Sequence, residues 1–220
     1  MVSSHCQDII LTAVRWWDMS GDMDDKPYHH GDLRTALLAA AEAEIAEHGI
    51  EAFSLRQVAR RAGVSHAAPA HHFGDANGLL TALAAEGFRQ FRAMQAVREV
   101  GATTPRARQI AAGLGYVDFA LARPALFRLM HSSDRPCYDT ADLALVAREA
   151  YLHLAEGVAA ISPMASDMDV ATTWALAHGL ADLMVAGRLP GLFHLPQEAR
   201  DAAIAVILDR ALPASPPSRA

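Results

Sequence analysis

The chain is short of the residues that would place it in several common classes. It has two cysteines, Cys6 and Cys137, in separate segments without metal-ligand spacing. Neither a disulfide framework nor a metal site is implied, and a reducing, cytoplasmic setting is the default. Lys26 is the only lysine. Aromatic residues make up 6% of the 220 residues, and runs of Val, Ile, Thr and Tyr are rare. No apolar run approaches the ~20 residues of a membrane span, so no membrane partner is expected. The net charge is −6 with His neutral. That balance argues against a non-specific nucleic-acid coater, though a specific reader needs only one small positive face. No Gly-rich phosphate loop, nucleophile–base spacing or His-x-x-x-His helix supports an enzyme, and no cofactor is called for.

What is present points to helices. Apolar residues make up 52% and charged residues 20%, ordinary for a globular chain with a sizeable core. Ala, Leu, Arg and Glu dominate, which favours an all-α fold. Eleven histidines make the surface charge sensitive to pH near neutrality.

Residues 1–27 read as a loosely ordered extension; Ile9 to Val14 is too short for a signal-peptide core and has no basic stretch before it. Asp32 then caps a first helix with Leu33, Leu37, Leu38, Ala41 and Ile45 on one face, ended by Gly49. Ser54 caps a short second helix carrying Leu55, Val58 and Ala59, and Gly63 stops it. Ser65 is placed to cap a third helix through about His72. Pro69 disturbs that start: its ring presses on the Ser65 carbonyl and its missing N–H forfeits a bond, so the helix start is displaced or tightened. A long helix comes after Asp75, from about Ala76 to Val100. Further helices run over about 106–121, 124–130, 140–161, 167–189 and 197–212. The tail 213–220 is rich in Pro and Ser and reads as disordered.

The strongest local pattern is Ser54-Leu55-Arg56-Gln57-Val58-Ala59-Arg60-Arg61-Ala62-Gly63-Val64-Ser65. Two short helices crossing steeply need a small residue on the first, and Ala59 fits. Their turn needs one positive φ, and Gly63 fits. Together with Glu47-His48-Gly49 before it, and His72-Phe73, Asp75 and Leu79-Leu80 after it, this run resembles the DNA-binding part of the TetR/AcrR family of transcriptional regulators. The resemblance implies a dimeric repressor whose third helix enters the major groove. Two departures stand out: Pro69-Ala70 replaces the usual aliphatic-Tyr pair, and Ala76 replaces a common phosphate-touching Lys.

On this reading 28–75 is a helix-turn-helix domain. Ser54 and Arg56 contact phosphates. Ser65 opens the reading helix, and His66, Ala67 and Ala68 point at base edges. His71 and His72 face the backbone. Residues 76–212 form a regulatory and dimerisation bundle. Within it, Trp174-Ala175-Leu176-Ala177-His178-Gly179, and the stretch from Tyr116 to Met130, resemble the WHG-type C-terminal domain of a subgroup of these regulators. Gly179 inside a helix calls for a close approach or a ligand. Between bundle helices an apolar cavity is expected, with Tyr116, Phe119, Phe127, Met130, His131, Tyr151, Trp174 and His178 as candidate lining. Leu176, Leu180, Leu183 and Met184, with Ile204, Ile207 and Leu208, are placed at a two-fold four-helix interface. The expected function is a repressor released from a palindromic double-stranded DNA operator by a small apolar effector. The alternative is a small-molecule-binding adaptor whose DNA affinity is weak or lost.

Overall fold

The computed structural model describes residues 30–214, and the expected extension over 1–27 lies outside the described residues. The chain divides into two units, Met1–Leu33 and Arg34–Ala220. The described part of the first is only the opening turn of one helix; the second holds the rest of that helix and every later element. Every regular element among the described residues is a helix.

Helix α1 spans His30–His48. Asp32 therefore lies inside the helix rather than ahead of it, which corrects the expected cap. Gly49, with φ +80°, ends it, and Leu37, Leu38, Ala41 and Ile45 are buried. Helix α2, Leu55–Arg61, has Ser54 in the cap position, but the serine side chain makes no cap hydrogen bond. Val58 and Ala59 of α2 are fully buried, as the close helix crossing requires. Arg61 holds α2 to α1 through the buried Glu44 (3.4 Å) and through Glu47.

Helix α3 spans Ala68–Phe73, later than a Ser65 cap would start it. Ser65 is therefore not the cap, and Ser65, His66 and Ala67 form the turn that leads into α3, with Ala67 at the cap position. The cause is Pro69. At the second helical position its missing N–H belongs to the donors that have no intrahelical partner anyway. The Ser65 carbonyl, which an earlier start would drive into the proline ring, instead accepts from the Ala68 N–H at 3.0 Å. Gly63 supplies the positive φ (+68°) of the turn.

Helix α4, Ala76–Glu99, is capped by Asp75, which accepts from the Gly78 N–H at 2.7 Å. Helix α5, Pro105–Ala122, is capped by Thr104 with proline in its first turn. Pro124 opens α6, Pro124–His131. Then come α7, Ala141–Ile161, α8, Asp167–Val185, the short α9, Pro190–Phe193, and α10, Gln197–Asp209. The pair α8 and α10 thus stops a few residues before the expected 189 and 212. Among the described residues, no single helix is long and apolar enough to cross a membrane.

The core lies where α4 and α5 pack side by side, with α6, α7 and α8 closing over them. The α4–α5 crossing is close because Gly115 has no side chain: a Cβ there would stand 2.7 Å from the Gln95 Cα. Arg98 of α4 ties α5 to α10 by pairing with Asp118 at 2.5 Å and Asp201 at 2.8 Å. Four residues expected between protomers belong instead to the protomer's own core: Leu180, Met184, Ile204 and Leu208 are buried. An apolar stripe on a helix at the edge of a bundle has two sides to cover, and the inner one takes these four.

Candidate functional site

Two places stand out. The first is the surface of α2, the turn and α3. Arg56 and Arg60 project from α2 into solvent, and Ser65, His66, Ala67, Ala70 and His71 are exposed. Ala68 and His72 are half-buried, and Ser54 is half-buried at the start of α2. His71 and His72 meet edge to face, 5.8 Å between ring centroids. The residues expected to touch DNA therefore share one region, although Ser65, His66 and Ala67 occupy a turn and not a helix. Sequence reasoning passes over Arg60; its exposure beside Arg56 makes it a second cation there. Arg34 of α1 lies 5.6 Å from the Phe73 ring centroid, which brings a third. This region comes very close to the long helix at Gly78. A Cβ on Gly78 of α4 would fall 1.9 Å from the Phe73 carbonyl oxygen, so only glycine lets α3 end so close to α4.

The second place is a cavity of about 370 Å³ walled by α4, α5, α6, α7, α8 and α10. Of the expected lining, Tyr116, Met130, His131, Tyr151 and Trp174 are there. Phe119 and Phe127 are not: both are packed into the core. His178 lies behind the wall, 2.8 Å from the Tyr116 hydroxyl through its Nδ1. Phe88, Phe91 and Gln95 of α4 line the cavity unforeseen, as do Gln109, Ile110 and Gly113 of α5 and Ala147, Ala150, His153 and Leu154 of α7. Tyr151 and Trp174 are 46% and 43% exposed, so they stand at the rim.

His131 is packed against rings of Phe127 (5.1 Å), His178 (5.4 Å) and Phe88 (5.7 Å). Burial, with a smaller push from neighbouring His178, lowers its pKa to about 4, so it is neutral at pH 7. Its Nε2 has no hydrogen-bond partner. Burial pushes the Tyr116 phenol up, so it keeps its proton. No Asp, Glu, Lys or Arg lines the cavity. His153 does, and its Nε2 is paired with Glu99 at 2.8 Å. No group of His, Cys, Asp and Glu able to hold a metal occurs among the described residues. The arrangement suits binding of an uncharged apolar molecule.

Two stretches of the chain match known families. Residues 37–83 match the family described as bacterial regulatory proteins, tetR family. Residues 109–209 match the tetracyclin repressor-like C-terminal domain, a description that does not single out the WHG subgroup. No curated protein matches. Among solved structures, a protein of unknown function from Rhodococcus sp. RHA1 is 34% identical, covering 86% of this chain and 99% of its own at a TM-score of 0.70. A TetR-like transcriptional regulator from the same organism is 16% identical, covering 84% of this chain and 97% of its own, with a TM-score of 0.62. The multidrug binding protein EbrR, in complex with imidazole, is 18% identical, covering 85% of this chain and 93% of its own, with a TM-score of 0.58. The chain is an all-helical DNA-binding transcription regulator and belongs to the tetR family of bacterial regulatory proteins.

Proposed function

We propose that this regulator acts in the cytoplasm as a homodimer on a palindromic DNA site and leaves it when a small apolar effector fills the cavity. One observation carries the reading. Helix α4 is a single element that holds the reading head at its start, through Gly78 against Phe73, and walls the cavity in its middle, through Phe88, Phe91 and Gln95. A ligand that favours one arrangement of the cavity wall therefore biases the position of the reading head. The contact between α4 and α6 supports transmission. A Cβ on Gly87 would lie 2.6 Å from the Met130 Sδ and 3.0 Å from Leu126, so movement of Met130 or His131 is passed directly to α4. Among the fold relatives, EbrR is a multidrug binding protein and holds a small heterocycle, imidazole.

Pairing of two copies rests on the outer side of α8. Met168, Thr172, Ala175, Gly179 and Leu183 recur at helical spacing, with Met168 73% and Leu183 45% exposed. A Cβ on Gly179 would meet nothing within 4 Å, so the close approach expected at this glycine is not made inside one protomer. Leu176 and Ile207 are half-buried, and Val206 of α10 is exposed. The interface thus keeps Leu176, Leu183 and Ile207 from the sequence reading and gains Val206. Footprinting on DNA flanking the gene tests the whole proposal. A palindromic footprint with half-sites about one helical turn apart, or a multiple of it, is the expected result. No footprint in low salt would leave a ligand-binding adaptor as the better account.

A further inference from the structure

The polar groups that line the cavity divide into those already satisfied and those that are not. Gln95 donates to the Ala112 carbonyl and accepts from Arg92. Tyr138 donates to the Met130 carbonyl, Thr173 to those of Asp169 and Ala211, and Tyr116 is bonded to His178. Ser133 accepts from the Arg135 N–H, and Tyr151 and Trp174 reach solvent at the rim. Two side chains of the lining remain. The Gln109 amide is 7% exposed and has no hydrogen-bond partner among the described residues. The His131 Nε2 is likewise unpartnered. A buried imidazole nitrogen without a partner is costly, and the Gln109 amide faces cavity space without a protein partner.

Gln109 is held in place rather than left over. Gly157 of α7 lies so close that a Cβ there would come 2.0 Å from the Gln109 Oε1. The amide also borders a second, outer cavity together with His153. Gln109, Gly113 and Tyr116 lie on one stripe of α5, at i, i+4 and i+7, and all three line the main cavity. Two helical turns span about 10 Å at ~1.5 Å per residue. His131 stacks on Tyr116 with ring centroids 6.0 Å apart, so the two unpartnered groups stand near opposite ends of that stripe. The apolar wall includes Phe88, Phe91, Ile110, Gly113 and Leu208. A charged ligand would enter without a counter-ion. The only titratable bases in the lining are His131, which is neutral, and His153, which Glu99 already holds.

We propose that the cavity takes an elongated, uncharged molecule with an apolar body and a hydrogen-bonding group near each end, one met by Gln109 and the other by His131. This deepens the effector-site reading and rests on it. Calorimetry on the full chain with 4,4′-dihydroxybiphenyl, 4-hydroxybiphenyl and biphenyl-4,4′-dicarboxylate tests it. The diphenol binds, the single phenol binds about threefold to tenfold more weakly, as loss of one hydrogen bond requires, and the dicarboxylate does not bind. Gln109→Leu and His131→Phe, each checked for unchanged helicity, each bring the diphenol down to the affinity of the single phenol. Equal or tighter binding of the dicarboxylate overturns the proposal. So does unchanged diphenol affinity in both variants, or the failure of all three compounds to bind the wild-type chain. Diphenol binding in this pattern that leaves DNA binding untouched would instead sink the regulatory coupling and keep the ligand class.

Discussion

His131 shows how one buried side chain reports on its surroundings. Its pKa stands at about 4 in the folded chain against an ordinary 6.5. Between those values the unfolded chain binds a proton that the folded chain refuses. Stability therefore falls as pH drops from about 6.5 towards 4, by at most about 3 kcal/mol. His131→Phe removes the proton site and keeps a ring among the same neighbours. Urea unfolding at pH 7.5 and pH 5 should show a smaller loss in this variant than in the wild type; equal losses would mean that His131 is not the group responsible. Its neighbour His178 marks a limit of sequence reading. Trp174 and His178 stand out in the sequence because they carry polar atoms on an apolar helix, yet only Trp174 lines the cavity. Phe119 and Phe127 carry the same apolar signal as Phe88 and Phe91. Only the three-dimensional arrangement separates the first two, in the core, from the second two, on the cavity wall.

Helices were readable where punctuation is strong. Thr104-Pro105, Arg123-Pro124 and Ser162-Pro163 mark boundaries that the structure keeps within a residue. The start of α3 was harder because Ser65 and Pro69 give opposing instructions, and the proline prevailed. Close helix contacts were barely legible, since a glycine in a helix looks the same whether it is crowded or open. Gly115 and Gly179 separate the cases. A Cβ on Gly115 runs into the Gln95 backbone, so Gly115→Ala should destabilise the chain by about 1–3 kcal/mol. Gly179→Ala meets no atom in the protomer and should raise helix stability by up to ~1 kcal/mol. Denaturant titration at low protein concentration measures both, and the same sign in both would contradict the packing described. Gly78 offers a functional version of this argument. Gly78→Ala must push α3 away from α4, because the obstructing atom is the Phe73 backbone oxygen. We expect DNA affinity to fall at least tenfold while binding in the cavity is unchanged; a variant that binds DNA normally would show that the α3–α4 contact does not set the reading head.

Charge distribution and pairing decide what the whole molecule can do. A chain of net charge −6 needs a local positive face to approach DNA, and the proposed one is Arg34, Arg56 and Arg60 beside the histidines of α3. Arg61 contributes less, because Glu44 and Glu47 hold it. One such face is small, and in the proposed dimer two of them engage one duplex, which multiplies weak contacts through effective concentration. Leu183 is where this requirement can be cut without disturbing the fold: it is half-exposed, whereas its neighbours Leu180 and Met184 are buried. Leu183→Glu places like charges face to face across a two-fold contact and should yield a monomer by sedimentation with full helicity. Half-site contacts at phosphates remain, so binding to a single half-site should persist with its salt dependence intact. Affinity for the full palindrome should fall by two orders of magnitude or more, the lower end of the gain that linking two sites provides. A monomeric Leu183→Glu chain that still binds the palindrome like the wild type would show that the two heads never act as one. A variant that remains dimeric would instead move the contact away from the outer side of α8, to another surface of the bundle.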